Sequence, residues 1–244
     1  MTVRPDQFSQ LETDGYIVLP RILSADECDR WNQMIDDIWQ REHLKPHTYD
    51  DEPGVRFVEN LLQHSPMFQR CTTDSVVVAA VRSALGPDVV LSLCNSRCTD
   101  PGYGNQPLHE LNRQRGKPFL KCDAIWCMDE FTADNGTRVL PGSHLADEEF
   151  LSTMEDPEKP HPREVIVAAP RGSVLIFHAS LIHAGSTNHG SGPRRSIQTQ
   201  FVAAGQKVRF DWSVELPDEI KARLEPEGRV LLGLDAASAA ASKA

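Results

Sequence analysis

The chain has 244 residues, of which 40% are hydrophobic and 25% are charged, and its mean hydropathy is -0.39. This composition is typical of a globular protein with a sizeable core. A formal net charge of -10 and a pI near 5.3 argue against a protein that binds nucleic acids or anionic membranes through a basic surface. The sequence has no apolar run long enough to span a membrane, and its first residues lack an apolar signal-peptide core, so we expect a cytoplasmic protein.

The first third of the chain has helical patterns. Residues 1–23 predict a short helix and then a strand over 16–19, and residues 44–56 are polar and predict a loop. Ser24 and Glu27 form a capping-box pattern at a helix start. Apolar residues then recur at helical spacing, at Cys28, Trp31, Met34, Ile35, Ile38 and Trp39. Two further helices are predicted over about 59–71 and 73–85, the second ending at Gly86-Pro87.

The remainder of the chain has the character of strands. Short apolar or alternating runs are separated by Gly, Pro, Asn and Asp, and they predict strands at 89–93, 119–128, 137–140, 165–168, 173–177 and 196–202. Helices followed by many short strands favour a mainly β fold, a sandwich or barrel with flanking helices. We expect a single domain over 1–234. The low-complexity tail over 235–244 is predicted to be disordered.

The six cysteines predict no disulfide framework. Without an export signal, reduced thiols are the better interpretation, because disulfides are rare in a reducing cytoplasm. Cys94 and Cys98, and Cys122 and Cys127, lie in apolar runs. Their spacing does not match structural zinc sites, and buried cysteine is commonly a small core residue.

Three segments, 106–111, 134–144 and 172–194, carry the residues with chemical potential. In the third, His178 and His183 follow a strand, and Arg194 stands at the start of another. Imidazole is a good iron ligand, and an arginine fork binds a carboxylate through two hydrogen bonds. Alone, this pattern does not identify a site, because a histidine near a strand end is more often a surface or core residue.

Together, the three segments resemble the phytanoyl-CoA dioxygenase family over nearly the whole chain. The resemblance rests on Asn135-Gly136 with Pro141-Gly142-Ser143-His144, on Gly172 to Phe177, and on His183-Ala184-Gly185 with Asn188 and Arg194. It is also carried by the opening segment Phe8 to Leu23 and by the ending from Leu216-Pro217 to Asp235. The family implies a double-stranded β-helix, the jelly roll of the cupins, whose open end holds Fe(II) and 2-oxoglutarate.

The resemblance also implies roles for individual residues. His109 and His183 match the two iron-ligating histidines, and Arg194 matches the arginine that pairs with the 5-carboxylate of 2-oxoglutarate. The serine that often follows the distal histidine by two residues is Gly185 here, with Ser186 one position further on. Ser186 is therefore a candidate co-substrate contact. Trp126 is predicted either to wall the co-substrate pocket or to be a core aromatic residue.

One departure from the family pattern affects the metal site directly. The family's His-x-Asp appears as His109-Glu110-Leu111, so that Leu111 stands where the carboxylate ligand is expected. On an extended segment, residues i and i+2 share a face, so Glu110 points away. The two-histidine, one-carboxylate face that suits ferrous iron is therefore incomplete.

Several interpretations of Leu111 stay open. Metal is held by His109, His183 and 2-oxoglutarate alone, or Glu110 or another carboxylate such as Asp123 substitutes. In a third interpretation the vacant position accepts an anion, as in halogenases, although leucine would crowd it. In a fourth the protein binds ligands, or acts as a catalyst, without metal. An introduced substitution that traps a complex is a further possibility.

The resemblance predicts a dioxygenase that oxidises a C–H bond in a small or medium organic molecule, in a biosynthetic pathway for a natural product or elsewhere. Its partners would be the substrate and dioxygen, with no nucleic acid or membrane, and it would act as a monomer or homodimer. His144 is expected to order its turn rather than to bind metal. His178, Gln106 and Asn95 are further candidates for the cavity wall.

Overall fold

The structure is a computed structural model that describes residues 3–44, 52–111, 116–146, 154 and 156–235. Its first elements are helix α1 (Pro5–Asp14), strand β1 (Tyr16–Leu19) and helix α2 (Ala25–Glu42). The capping box at the start of α2 is confirmed, because Ser24 Oγ accepts from the Glu27 amide at 3.3 Å and the Ser24 amide donates to Glu27 Oε2 at 2.9 Å. The apolar stripe of α2, including Trp31 and Ile35, is buried.

The helix predicted over 59–71 is broken into short turns. Two 3₁₀ helices, Leu61–Gln63 and Pro66–Gln69, precede the four-residue helix α3 (Arg70–Thr73). Pro66 explains the break, since proline lacks an amide proton and pushes the preceding residue out of the helical region. The next helix, α4 (Ser75–Leu85), begins at Asp74, whose Oδ1 accepts from the amides of the following turn at 3.1 and 3.3 Å.

Two antiparallel sheets form the body of the protein. After β1, the strands are β2 (Val55–Val58), β3 (Val89–Thr99), β4 (Lys121–Cys127), β5 (Thr137–Val139), β6 (Val165–Val167), β7 (Val174–His178), β8 (His183–Gly185) and β9 (Arg194–Ala203). The larger sheet has the order β1-β7-β4-β9-β3-β2, and the smaller has the order β6-β5-β8. This is the jelly roll expected of the cupin-like class. The sequence did not predict β2 or β8, which are only four and three residues long and are defined by their pairing with β3 and β5.

The two faces of the larger sheet have different roles. One face joins the helices in the main hydrophobic core, which includes Trp31, Phe68, Trp126 and Phe201. The other face points toward the smaller sheet. Because side chains alternate along a strand, each central strand contributes to both the core and the space between the sheets.

The C-terminal part closes the outer face with three short helices, α5 (Trp212–Glu215), α6 (Asp218–Lys221) and α7 (Pro226–Leu231). Trp212 is fully buried, and its indole Nε1 donates to the Leu91 carbonyl at 2.6 Å. Asp235 accepts hydrogen bonds from Arg229, the closest at 2.9 Å, and the rest of the predicted tail lies outside the described residues. Among the described helices, none is long and apolar enough to cross a membrane. All six cysteines are buried free thiols.

Candidate active site

A cavity of about 420 Å³ lies between the two sheets. The larger sheet contributes side chains from β3, β4, β7 and β9, including Asn95, Asp123, Phe177 and Arg194. The smaller sheet contributes residues from β5 and β8, and the extended segment at 106–111 closes one side. Most of the wall belongs to sheet strands, which makes the positions of its side chains rigid.

The structure brings His109 and His183 together. They form an antiparallel bridge in which each amide donates to the other residue's carbonyl at 2.9 Å, so the 106–111 segment extends the smaller sheet beside β8. Directly paired residues in an antiparallel bridge place their side chains on the same face. The two imidazole rings are 4.6 Å apart, centroid to centroid, and both line the cavity.

Backbone carbonyls fix the tautomer of both imidazoles. His109 Nδ1 lies 2.8 Å from the Pro107 carbonyl, and His183 Nδ1 lies 2.8 Å from the Leu181 carbonyl. A carbonyl oxygen only accepts, so each Nδ1 carries a proton, and Nε2 is the nitrogen that each neutral ring would offer to a ligand. Burial and the nearby His109 lower the pKa of His183 to about 3, so its imidazole is neutral at neutral pH.

Leu111 lies on the cavity side, as the alternation of an extended segment predicts. It lines the cavity with 46% of its surface exposed, whereas Glu110 is not among the lining residues. The described residues contain no cluster of three or more His, Cys, Asp or Glu side chains that could hold a metal ion. In its described residues, the cavity therefore presents two imidazoles and, at the position where the family resemblance predicts a carboxylate, an aliphatic side chain.

Arg194 is a buried cation at another part of the same cavity. Its guanidinium donates to the carbonyls of Asn135 and Ser186 at 2.5 and 3.0 Å, and Nη2 lies 3.4 Å from Thr99 Oγ1. Burial and the neighbouring Arg97 lower its pKa to about 10, so it remains charged at neutral pH. No carboxylate of the described residues forms a salt bridge with it, which leaves its charge available for an anionic ligand.

Ser186 does not line the cavity but supports the arginine. Its hydroxyl donates to the Gly136 carbonyl at 2.6 Å and accepts from Arg194 Nη1 at 3.3 Å. The structure also explains why residue 185 is glycine and not the serine that the family often has there. A Cβ built there would lie 2.9 Å from the Gly104 carbonyl oxygen and 3.0 Å from Gln106 Oε1, and that amide oxygen already accepts from the Gly185 N–H.

We therefore expect Gly185→Ser to destabilise the protein by about 1–3 kcal/mol, because the backbone at Gly104 must move to admit the side chain. The free energy of unfolding from urea denaturation measures the effect. Gly192→Ser is the matched control, since a Cβ at Gly192 has no heavy atom within 4 Å. Equal free energies of unfolding for both variants would show that the backbone at Gly104 moves to admit the side chain without a loss of stability.

Of the two roles predicted for Trp126, the structure places it in the core and not in the cavity wall. Trp126 shares its face of β4 with Cys122 and Ala124 in the main core, packs 6.3 Å from the ring of Trp31, and donates from Nε1 to Thr199 Oγ1 at 3.2 Å. The residues of opposite phase, Asp123 and Ile125, line the cavity. His144 contacts the Glu12 carbonyl at 3.1 Å, as expected of a residue that orders its turn. His178 stacks on Phe119 away from the cavity.

Several cavity residues were not singled out by the sequence. Gln198 and Gln200 follow Arg194 on β9 with a period of two, which is the signal that would have found them. Gln106 and Asn95, which the sequence left unoriented, both line the cavity. Asp123 is 8% exposed, accepts from Gln200 Nε2 at 3.1 Å, and has no hydrogen-bond partner at Oδ2. Burial raises its pKa to about 7.

Comparison with known proteins identifies the family. The family model for phytanoyl-CoA dioxygenase (PhyH) matches residues 11–196, which include His109, His183 and Arg194. The chain belongs to the phytanoyl-CoA dioxygenase family. It is thus classed among the non-haem iron, 2-oxoglutarate-dependent dioxygenases, whose jelly-roll fold it shares.

Individual relatives are distant in sequence. Dioxygenase af480 of Aspergillus fumigatus is 23% identical over 241 residues, covering 94% of this chain and 76% of the relative. Ectoine dioxygenase of Sphingopyxis alaskensis is 25% identical over 243 residues, covering 86% and 79%. The structure of HygX from Streptomyces hygroscopicus, solved with nickel and 2-oxoglutarate bound, has a TM-score of 0.67 at 17% identity and covers 83% of this chain and 88% of its own. At that identity it supports the fold alone.

The cofactors of the family fit most of this cavity. Two imidazoles whose Nδ1 atoms are held by backbone carbonyls leave Nε2 for a ferrous ion, and a buried guanidinium without a salt bridge among the described residues suits one carboxylate of 2-oxoglutarate. The family's third protein ligand is absent at Leu111. His109, His183 and a bound 2-oxo acid would still supply donor atoms for the ion, so the residues present fit the group in part.

Proposed function

We propose that this protein is an Fe(II)- and 2-oxoglutarate-dependent dioxygenase that oxidises a C–H bond of a small or medium organic metabolite. The observation that carries the proposal is the convergence of His109, His183 and Arg194 on one cavity from segments far apart in the chain. The names of the relatives, dioxygenases from fungi and bacteria, support the same reaction class.

In this proposal, each residue has a defined part. His109 and His183 hold the metal through Nε2, and their Nδ1 hydrogen bonds to backbone carbonyls keep the rings oriented. The Arg194 guanidinium binds the 5-carboxylate of 2-oxoglutarate and is itself positioned by two carbonyls and a hydroxyl. When bound, iron and 2-oxoglutarate supply oxygen activation, and the protein contributes positioning and exclusion of water.

The cavity sets a limit on the substrate. A volume of about 420 Å³ that also holds the co-substrate lies at the small end of ligand pockets. It accommodates a metabolite or the reacting part of a larger natural product that extends through the open side. The relatives include proteins named for ectoine and for phytanoyl-CoA, and this range leaves the substrate to experiment. The six unpaired thiols support a reducing compartment, so we propose the cytoplasm as the location.

Anaerobic titration with ferrous iron and 2-oxoglutarate tests the proposal. We expect a weak, saturable visible absorption band from iron-bound 2-oxoglutarate, and in air the slow conversion of 2-oxoglutarate to succinate. His183→Ala should abolish the band, because one of only two imidazoles in the cavity is lost. Wild-type protein that shows neither a band nor calorimetric binding at millimolar iron would refute the proposal.

Leu111 favours one competing function, a metal-independent ligand-binding protein on the same scaffold. Under that alternative, 2-oxoglutarate or another dicarboxylate binds at Arg194 with the same affinity in the presence and absence of a divalent metal. The proposed enzyme instead requires the metal for tight binding, because the 2-oxo acid end of the co-substrate has its main partner in the ion. Calorimetry with Mn(II) and with EDTA distinguishes the two.

A further inference from the structure

The charges that line the cavity leave two groups without an ionic partner. Arg97 pairs with Glu52, and Arg209 lies 3.8 Å from Glu59. These pairs account for four of the six charged side chains of the wall. Among the described residues, the remaining two, Arg194 and Asp123, have no salt bridge.

Asp123 is costly to keep in this position. It lies on β4 with 8% exposure, and among the described residues its side chain accepts one hydrogen bond, from Gln200 Nε2, while Oδ2 has no partner. An unsatisfied buried oxygen costs about 1–3 kcal/mol, and more if it is charged. Position 123 belongs to the same face of β4 as the apolar Ile125, so a hydrophobic residue would be the simpler choice for stability. This cost points to a ligand that needs the carboxylate.

Asp123 and His183 have a common neighbour, Phe177. Asp123 pairs directly with Phe177 of β7, and the Phe177 ring lies 4.6 Å, centroid to centroid, from the ring of His183. Asp123 also pairs with Gln200 of β9. Gln200 is six residues from Arg194 on the same strand, which corresponds to about 20 Å of extended backbone. The carboxylate thus shares the neighbour Phe177 with His183 and lies on a part of the sheet well along β9 from Arg194. Asp123, His109 and His183 do not form a group of three metal ligands, so the carboxylate would act on a cation through its charge and not as a third ligand.

The charge count gives the carboxylate a specific role. A divalent cation, the dianion of 2-oxoglutarate and the Arg194 guanidinium together leave one positive charge in excess in a low-dielectric cavity. A ligand carboxylate at position 111 would neutralise it, but that residue is leucine. Asp123 is the one carboxylate of the described cavity wall that is not already ion-paired.

We propose that Asp123 replaces, from strand β4, the negative charge missing at Leu111, and so stabilises a divalent cation held by His109 and His183. The inference rests on the proposed function. In it, Gln200 is a positioning residue that holds Asp123 Oδ1. In this proposal, the carboxylate of Asp123 compensates for the carboxylate that is missing at Leu111 in the same cavity.

Metal affinity of the full chain tests the inference without using catalysis. Mn(II) binding in the presence of 2-oxoglutarate is followed by the EPR signal of free Mn(II). We expect Asp123→Asn to weaken Mn(II) binding by about tenfold or more, and Asp123→Glu, which keeps the charge, to stay within about threefold of wild type. Glu59→Gln is the matched control, a cavity carboxylate that is already beside Arg209, and should leave affinity within about twofold.

A double-mutant cycle sharpens the result. If Asp123 compensates for Leu111, then Leu111→Asp should raise Mn(II) affinity more in the Asp123→Asn background than in wild type, by about tenfold. Wild-type affinity that Asp123→Asn leaves unchanged overturns the inference while the proposed function stands. Equal losses in Asp123→Asn and Asp123→Glu also overturn it, because they indicate packing. Absence of Mn(II) binding in wild type refutes both.

Discussion

Replacing Arg194 by Gln is expected to weaken 2-oxoglutarate binding by about 100-fold or more. The arginine is a buried cation with no carboxylate partner among the described residues, and it contacts the cavity. Loss of one member of a buried, hydrogen-bonded charge pair costs about 3–5 kcal/mol, and 1.4 kcal/mol corresponds to a tenfold change in affinity. Calorimetric titration of 2-oxoglutarate with Mn(II) present measures the change.

Two further variants separate co-substrate binding from folding. Arg194→Lys keeps the charge but loses the fork whose Nη1 donates to the Asn135 and Ser186 carbonyls and whose Nη2 lies against Thr99, so an intermediate loss is expected. Arg209→Gln removes a cavity arginine that is 54% exposed and beside Glu59, and should change binding by less than about threefold. If Arg209→Gln is as damaging as Arg194→Gln, the co-substrate lies at the other end of the cavity.

The sequence predicts the members of the candidate site better than their surroundings. The family resemblance singles out His109, His183 and Arg194, and the structure places all three in the wall of one cavity. The imidazoles of His109 and His183 lie together because the backbones of the two residues pair in an antiparallel bridge between extended segments. The same-face position of Leu111 and His109 followed from simple alternation.

The sequence does not show which alternate residues of a buried strand face the cavity and which face the core. Asp123 and Trp126 lie three residues apart on β4 and therefore on opposite faces, but periodicity within an almost wholly buried strand does not show which face meets the cavity. The sequence therefore allows Trp126 in the pocket wall and predicts Asp123 only as one of several alternative ligands. The pairing of Asp123 with Phe177 and Gln200, which needs three strands in register, decides between them.

Leu111→Asp is expected to raise the affinity for Mn(II) or Fe(II) by about 100-fold. Leu111 lines the cavity on the same segment as His109 and is 46% exposed, so an aspartate fits without opening the core. A carboxylate there would complete the two-histidine, one-carboxylate face that suits ferrous iron. Competition with a fluorescent metal chelator, under anaerobic conditions for iron, gives the dissociation constants.

Leu111→Asn is the matched control, since it has the size of aspartate without its charge, and it should gain less than about fivefold. A gain confined to aspartate means that the backbone of 109–111 still presents the geometry of a three-ligand site and that only the side chain has changed. Because the Leu111 amide donates to the Ala179 carbonyl at 2.8 Å, that geometry is anchored independently of the side chain. Equal affinities for wild type and Leu111→Asp would instead mean that position 111 does not face the metal, and the assignment of His109 as a ligand would fail with it.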